Sequence, residues 1–108
     1  MKVYNLSDMK GGWIVGDFEP SVLRTPDFEV GVKLHPKGEK WPVHYHKDVV
    51  EYNVLVSGSM TIQGERLEAG TIFVLDKNEI ADPEFHEDCW IVCTKVPSIP
   101  GDKHEITE

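Results

Sequence analysis

No stretch of this chain sustains a helical period. Apolar or β-branched runs recur instead at residues 12–15, 28–34, 42–46, 51–56, 60–62, 71–75 and 89–96, with Gly, Pro, Asn and Asp in the gaps. Short runs punctuated in this way predict many short strands and an all-β domain. Alternation places Glu51, Asn53 and Leu55 on one face of their strand and Tyr52, Val54 and Val56 on the other. If Glu51 points inward, the outer face is apolar and needs cover from the N-terminal segment or from a second subunit. In residues 28–34, Val30, Val32 and Leu34 share one face while Glu29, Gly31 and Lys33 share the other. Alternation alone does not say which of these two faces looks inward.

One segment carries chemistry. Gly38 is followed by His44-Tyr45-His46, then Glu51, then Gly58. Alternate residues of an extended strand point the same way about 6.5–7 Å apart, so both imidazoles can converge on one ion. Glu51 returns after a short reversal through Lys47-Asp48. Neutral imidazole and an anionic oxygen both suit a divalent transition metal. The flanking glycines permit the turns that bring the strands together.

The stretch from Gly38 to Gly58 resembles the first cupin motif, G-x5-H-x-H-x4-E-x6-G, at every defined position. The likeness runs roughly from Phe28 to Val96. It implies a single all-β domain, a double-sheet β jelly-roll barrel that holds a metal and a small ligand. On that resemblance His44, His46 and Glu51 are three of the usual four ligands, and the ion is Fe, Mn, Ni or Zn. The barrel would span residues 28–96, with edge strands and a covering loop over residues 1–27 and an extended, mobile-ended tail over 97–108.

The second cupin motif, G-x5-P-x-G-x2-H-x3-N, begins correctly at Gly70 and then departs. Asp76 stands at the proline position, Asn78 at the glycine position, Ala81 at the ligand histidine and Phe85 at the asparagine. Asp and Asn are good turn residues, so the turn itself is expected to survive. Three outcomes follow for the fourth ligand. The site keeps His44, His46 and Glu51 with open positions, Asp82 swings in through a bulge, or the metal is lost. His35, His86 and His104 are poorer ligand candidates. Asn53, on the same strand face as Glu51, is the candidate substrate-binding residue.

At 108 residues the chain has room for one core without disulfides. Cys89 and Cys93 would share a strand face about 13 Å apart, beyond disulfide reach, and read as small buried hydrophobes. No apolar run approaches a membrane span and the first residues lack a signal-peptide core, so a cytoplasmic setting is expected. The net charge of −8 argues against nucleic acid and anionic membranes as partners.

Asp76, Glu79, Asp82, Glu84, Glu87 and Asp88 cluster around the second motif. If they faced the pocket they would favour a neutral small molecule such as a sugar, although Lys33 could reverse this locally. Trp13, Trp41 and Trp90 are expected to serve packing. The functional expectation is a metal-dependent enzyme on a small neutral molecule such as a sugar, or else a non-catalytic small-ligand- or metal-binding or sensing module with a partly degenerate cupin site, in either case as a homodimer.

Overall fold

The computed structural model describes residues 1–106. Among them there is no α-helix; a single 3-10 turn, Leu6–Asp8, precedes eleven strands. These are β1 (Trp13–Gly16), β2 (Leu23–Arg24), β3 (Glu29–His35), β4 (His44–Tyr45), β5 (Val50–Ser57), β6 (Ser59–Ile62), β7 (Glu65–Glu68), β8 (Ile72–Leu75), β9 (Glu84–Phe85), β10 (Cys89–Val96) and β11 (His104–Glu105).

A six-stranded sheet has the order β2-β1-β3-β10-β5-β8, a three-stranded sheet the order β7-β6-β9, and β4 pairs with β11. Hydrogen bonding does not run round the described residues as a closed barrel. All pairings are antiparallel except β1 with β2. β10 is the spine, in register with β3 on one side and β5 on the other. Its alternation puts Cys89, Ile91 and Cys93 inside, all buried, while Trp90 and Val96 are exposed outside.

The inner faces of the two larger sheets meet in one apolar cluster. Leu55, Leu75, Cys89 and Ile91 come from the large sheet, and Met60, Ile62, Leu67 and Phe85 from the small one. Burying a side chain such as Leu55, fully shielded here, stabilises the fold by about 1.5–3 kcal/mol.

Two turn positions explain motif residues. Gly58 has φ 92° between β5 and β6, and a Cβ there would lie 2.3 Å from the Asp88 carbonyl oxygen, so only glycine fits. Asn78 has φ 68°, in the left-handed region that Asn tolerates better than most residues.

The seven expected strands are all present with small shifts of boundary. β7, β9 and β11 were not expected. β7 carries one inward apolar residue, Leu67, among exposed charges, so it offers little alternation to read. Part of the tail pairs as a strand: β11 lies against β4, and Ile106 N donates to the Val43 carbonyl at 2.9 Å. The expected mobility of the final residues, 107–108, lies outside the described residues.

The N-terminal segment lies over part of the outer face of the large sheet, where Tyr4, Leu6 and Met9 border a shallow depression with Ile14, Val22 and Val32. Tyr52, Val54, Val56, Ile72, Val74 and Leu34 are left exposed.

Candidate metal and ligand site

Above the apolar cluster the space between the sheets opens into a cavity of about 280 Å³, near the low end for small-molecule sites. His44, His46, Glu51 and Asn53 all line it, as alternation along β4 and β5 predicts. His44 Nδ1 lies 2.9 Å from the Pro42 carbonyl oxygen. That oxygen only accepts, so Nδ1 carries the proton and Nε2 is left with a lone pair. Burial, partly offset by the Pro42 bond, lowers the His44 pKa. His46 is 4% exposed, and burial together with the neighbouring Lys95 ammonium lowers its pKa to about 4. Both imidazoles are therefore neutral at neutral pH.

The loop after His46 is clamped by the tail. Asp102 accepts from the backbone N–H groups of Lys47, Asp48 and Val49 at 3.2, 2.8 and 3.2 Å. His104 Nε2 lies 3.0 Å from the same carboxylate. Burial disfavours ionising Asp102, but these donors outweigh it and hold the carboxyl below its ordinary value. His104 thus braces the loop and does not line the cavity.

Glu51 Oε2 approaches His46 Nδ1 to 3.7 Å, and the two imidazole rings are 5.3 Å apart at their centres. Among the described residues, no three His, Cys, Asp or Glu side chains stand close enough to form a ready-made metal cage. The donor chemistry still fits an ion in an open arrangement. His46 Nε2 is buried without a hydrogen-bond partner, and an orphaned buried polar atom of this kind costs about 1–3 kcal/mol. Asn53, 2% exposed, has the same deficit at Nδ2. Cys93 stands beside Glu51, and burial followed by that carboxylate's charge pushes its thiol well above the ordinary range.

At the position where the cupin resemblance puts a fourth ligand, no donor side chain faces the cavity. Ala81 is buried in the cavity wall, bonded through its backbone to His44, so the second motif aligns as the sequence suggests and offers only a methyl group. Asp82 is exposed, and its Oδ1 accepts from Gln63 N at 2.7 Å, away from the cavity. That backbone bond holds the carboxylate in the loop.

His35 was set aside on sequence, yet it lines the cavity, stacked on Phe85 with ring centres 4.6 Å apart. Glu39 orients it by a 2.7 Å contact to Nδ1 and also accepts from the Trp41 indole N–H. His86 faces Thr61 instead, at 2.7 Å.

The electrostatics differ from what the acidic second-motif segment suggested. None of Asp76, Glu79, Asp82, Glu84, Glu87 and Asp88 lines the cavity. Several fasten loops: Glu79 accepts from Asp76 N, Asp88 from Lys37 N and Glu87 from Ser59 Oγ. The charged wall consists of Lys33, Lys95 and Lys103 with Glu51. β3 turns Glu29, Gly31 and Lys33 inward and leaves Leu34 exposed, the less obvious of its two faces.

Lys33 and Lys95 hold their ammonium groups 4.9 and 4.8 Å from the Trp13 ring centre. Lys33 and Lys103 lie 5.3 and 3.9 Å from that of Trp41. Trp13 packs over Gly31, where a Cβ would meet its ring at 2.7 Å. Lys95 could have been found from the parity of β10 once its cysteines are placed inside. Nothing in the sequence of the tail signals Lys103.

Comparison with known proteins supports the fold. No family profile matches the chain, and no curated protein matches it significantly. Among solved structures, an uncharacterised conserved protein with a double-stranded β-helix domain from Klebsiella pneumoniae is similar at TM-score 0.69 and 18% identity, covering 99% of this chain and 93% of that one. A protein of unknown function with a cupin-like fold from Ralstonia eutropha is similar at TM-score 0.64 and 13% identity, covering 94% and 66%. The bacterial pirin YhhW from Escherichia coli, solved in complex with nickel(II), is similar at TM-score 0.66 and 16% identity, covering 81% and 39%. The chain has the cupin fold.

Proposed function

We propose that this chain is a metal-dependent enzyme that binds a small molecule beside one divalent transition-metal ion, Fe, Mn, Ni or Zn, held by His44, His46 and Glu51. The observation that carries this reading is the buried, partnerless Nε2 of His46, in a cavity shared with His44 and Glu51. With only three protein ligands, such an ion would keep positions open and supply Lewis-acid or redox chemistry to a ligand oxygen. The remaining work falls to the chain. Pro42 fixes the His44 tautomer, the Asp102 clamp fixes the loop after His46, and Asn53 Nδ2 offers a donor to a bound ligand. The apolar floor of the cavity limits water.

Elemental analysis of reconstituted, tag-free protein tests the metal. Near-stoichiometric metal that disappears in Glu51→Ala and in the His44→Ala/His46→Ala double variant is expected, with the fold kept. Unchanged metal in a folded double variant would sink the proposed ligand set.

A second reading, a non-catalytic binding module, draws on Ala81, which supplies no fourth ligand. Turnover that is lost on chelation and restored by a single metal separates the two. We also propose a homodimer formed through the outer face of the large sheet. Tyr52, Val54, Val56, Ile72 and Val74 are exposed side by side on neighbouring strands, and contiguous apolar surface of this kind favours a partner. A second copy presents the same uncharged surface, so the contact is self-complementary.

A further inference from the structure

The cavity contains three lysines that the metal reading does not use. They come from three separate parts of the chain, Lys33 from β3, Lys95 from β10 and Lys103 from the turn before β11. Lysine ordinarily lays its stem along the surface and keeps its ammonium in water. Here Trp13 and Trp41 hold all three ammonium groups at their ring faces, an attraction worth about 0.5–2 kcal/mol each. Among the described residues, no carboxylate lies within ion-pair distance of any of the three. The cavity therefore gathers three cations against the one carboxylate of Glu51, in a protein whose net charge is −8. Like charges held together in a partly dry space repel strongly. The arrangement is relieved when an anion enters.

Two further features narrow the anion. Asn53 Nδ2 is a buried donor without a partner in the same wall, positioned for an oxygen acceptor. Next to it the lining turns apolar, through Phe73, Met60 and Ile62. A free inorganic ion would leave that surface wet, whereas an organic acid would cover it. We infer that Lys33, Lys95 and Lys103, braced by Trp13 and Trp41, form a carboxylate subsite for a small organic acid whose apolar body lies against Phe73, Met60 and Ile62. This deepens the small-ligand reading, and it depends on the cavity but not on the metal.

The test is a nuclear magnetic resonance titration of the full, chelator-treated chain with benzoate, its neutral analogue benzamide, and inorganic phosphate. Benzoate is expected to shift the indole N–H signals of Trp13 and Trp41 and the side-chain amide of Asn53 saturably, and more weakly as salt is added. Benzamide and phosphate are expected to leave them unmoved at the same concentrations. Lys33→Met and Lys103→Met should each weaken benzoate roughly tenfold, the loss expected for one charge-assisted bond. Lys103→Arg, which keeps the charge at the Trp41 ring and so controls for folding, should bind benzoate more tightly than Lys103→Met.

Benzamide binding as tightly as benzoate would overturn the inference. So would folded lysine variants with unchanged benzoate affinity, or phosphate alone shifting the pocket signals. Because the protein is stripped of metal, a failure of the His44, His46 and Glu51 site would leave this result untouched. The metal-free His44→Ala/His46→Ala variant should still bind benzoate.

Discussion

Ala81 and His44 exchange both backbone hydrogen bonds, Ala81 N to the His44 carbonyl at 2.8 Å and His44 N to the Ala81 carbonyl at 3.1 Å. This bridge stands a buried methyl group beside the imidazole, in the wall of the cavity. Ala81→His should therefore add a fourth donor. Metal affinity should rise by roughly tenfold or more, read by competition with a chelator. A folded Ala81→His protein with unchanged affinity would count against an ion at His44, His46 and Glu51.

Acid should destabilise the metal-free protein in a defined window. Burial and Lys95 lower the His46 pKa to about 4, whereas in the unfolded chain it lies near the ordinary value of about 6.5. Between those values the unfolded chain binds a proton that the folded one refuses, so the His46 contribution lowers stability as pH drops from 6.5 towards 4 and levels off below. The loss by pH 4.5 should be about 2 kcal/mol. Urea unfolding across this range would read it, and His46→Ala should flatten that part of the profile.

The Asp102 clamp should matter for stability on its own. Asp102→Ala removes the acceptor of three backbone N–H groups and the contact to His104, and leaves donors in a partly buried loop. A loss of about 2–3 kcal/mol is expected. The folded carboxyl is held below its unfolded pKa, so its contribution is present above about pH 4 and lost as pH falls through the folded value. Asp102→Ala should therefore be less stable than the parent at neutral pH, and the difference should shrink in strong acid. A constant difference across that range would show that the carboxylate charge is not what holds the loop.

The outer face of the large sheet can be tested by charge. Val54→Lys and Ile72→Lys each place an ammonium on exposed positions of neighbouring strands. If two copies pack there, sedimentation should show a dimer for the parent and a monomer for the double variant. A parent chain that sediments as a monomer at high concentration would exclude the homodimer.

Much of the cavity was legible because β-strand parity is strict. Once His44 and His46 share a face, Glu51 and Asn53 follow across the turn, and the structure lines one cavity with all four. The second motif was legible as well, down to Ala81 in the wall and Asn78 at positive φ. The charge of the cavity was not. Acidic residues adjacent in sequence near the second motif fasten loops, while the lysines that line the wall arrive from three distant segments. The inward face of β3 also defies ordinary polarity, because Lys33 borders an open cavity and Leu34 lies exposed on the outer face. β7 and β11 escaped notice because pairing partners, not side-chain patterns, define them.

β5 and β10 each run from one kind of interior to another. β5 passes from Glu51 and Asn53 to Leu55, and β10 from Cys89 and Ile91 to Lys95. Truncating Leu55 to alanine would cost about 2–5 kcal/mol, enough to endanger a small domain whose whole stability is about 5–15 kcal/mol. Replacing a lysine at the other end gives up a contact with a tryptophan ring but also removes a repulsion, and so costs the fold less. Mutations can therefore accumulate at the charged end while the dry end keeps the chain folded, so a lineage carrying this domain can exchange one ligand for another without first having to gain stability elsewhere.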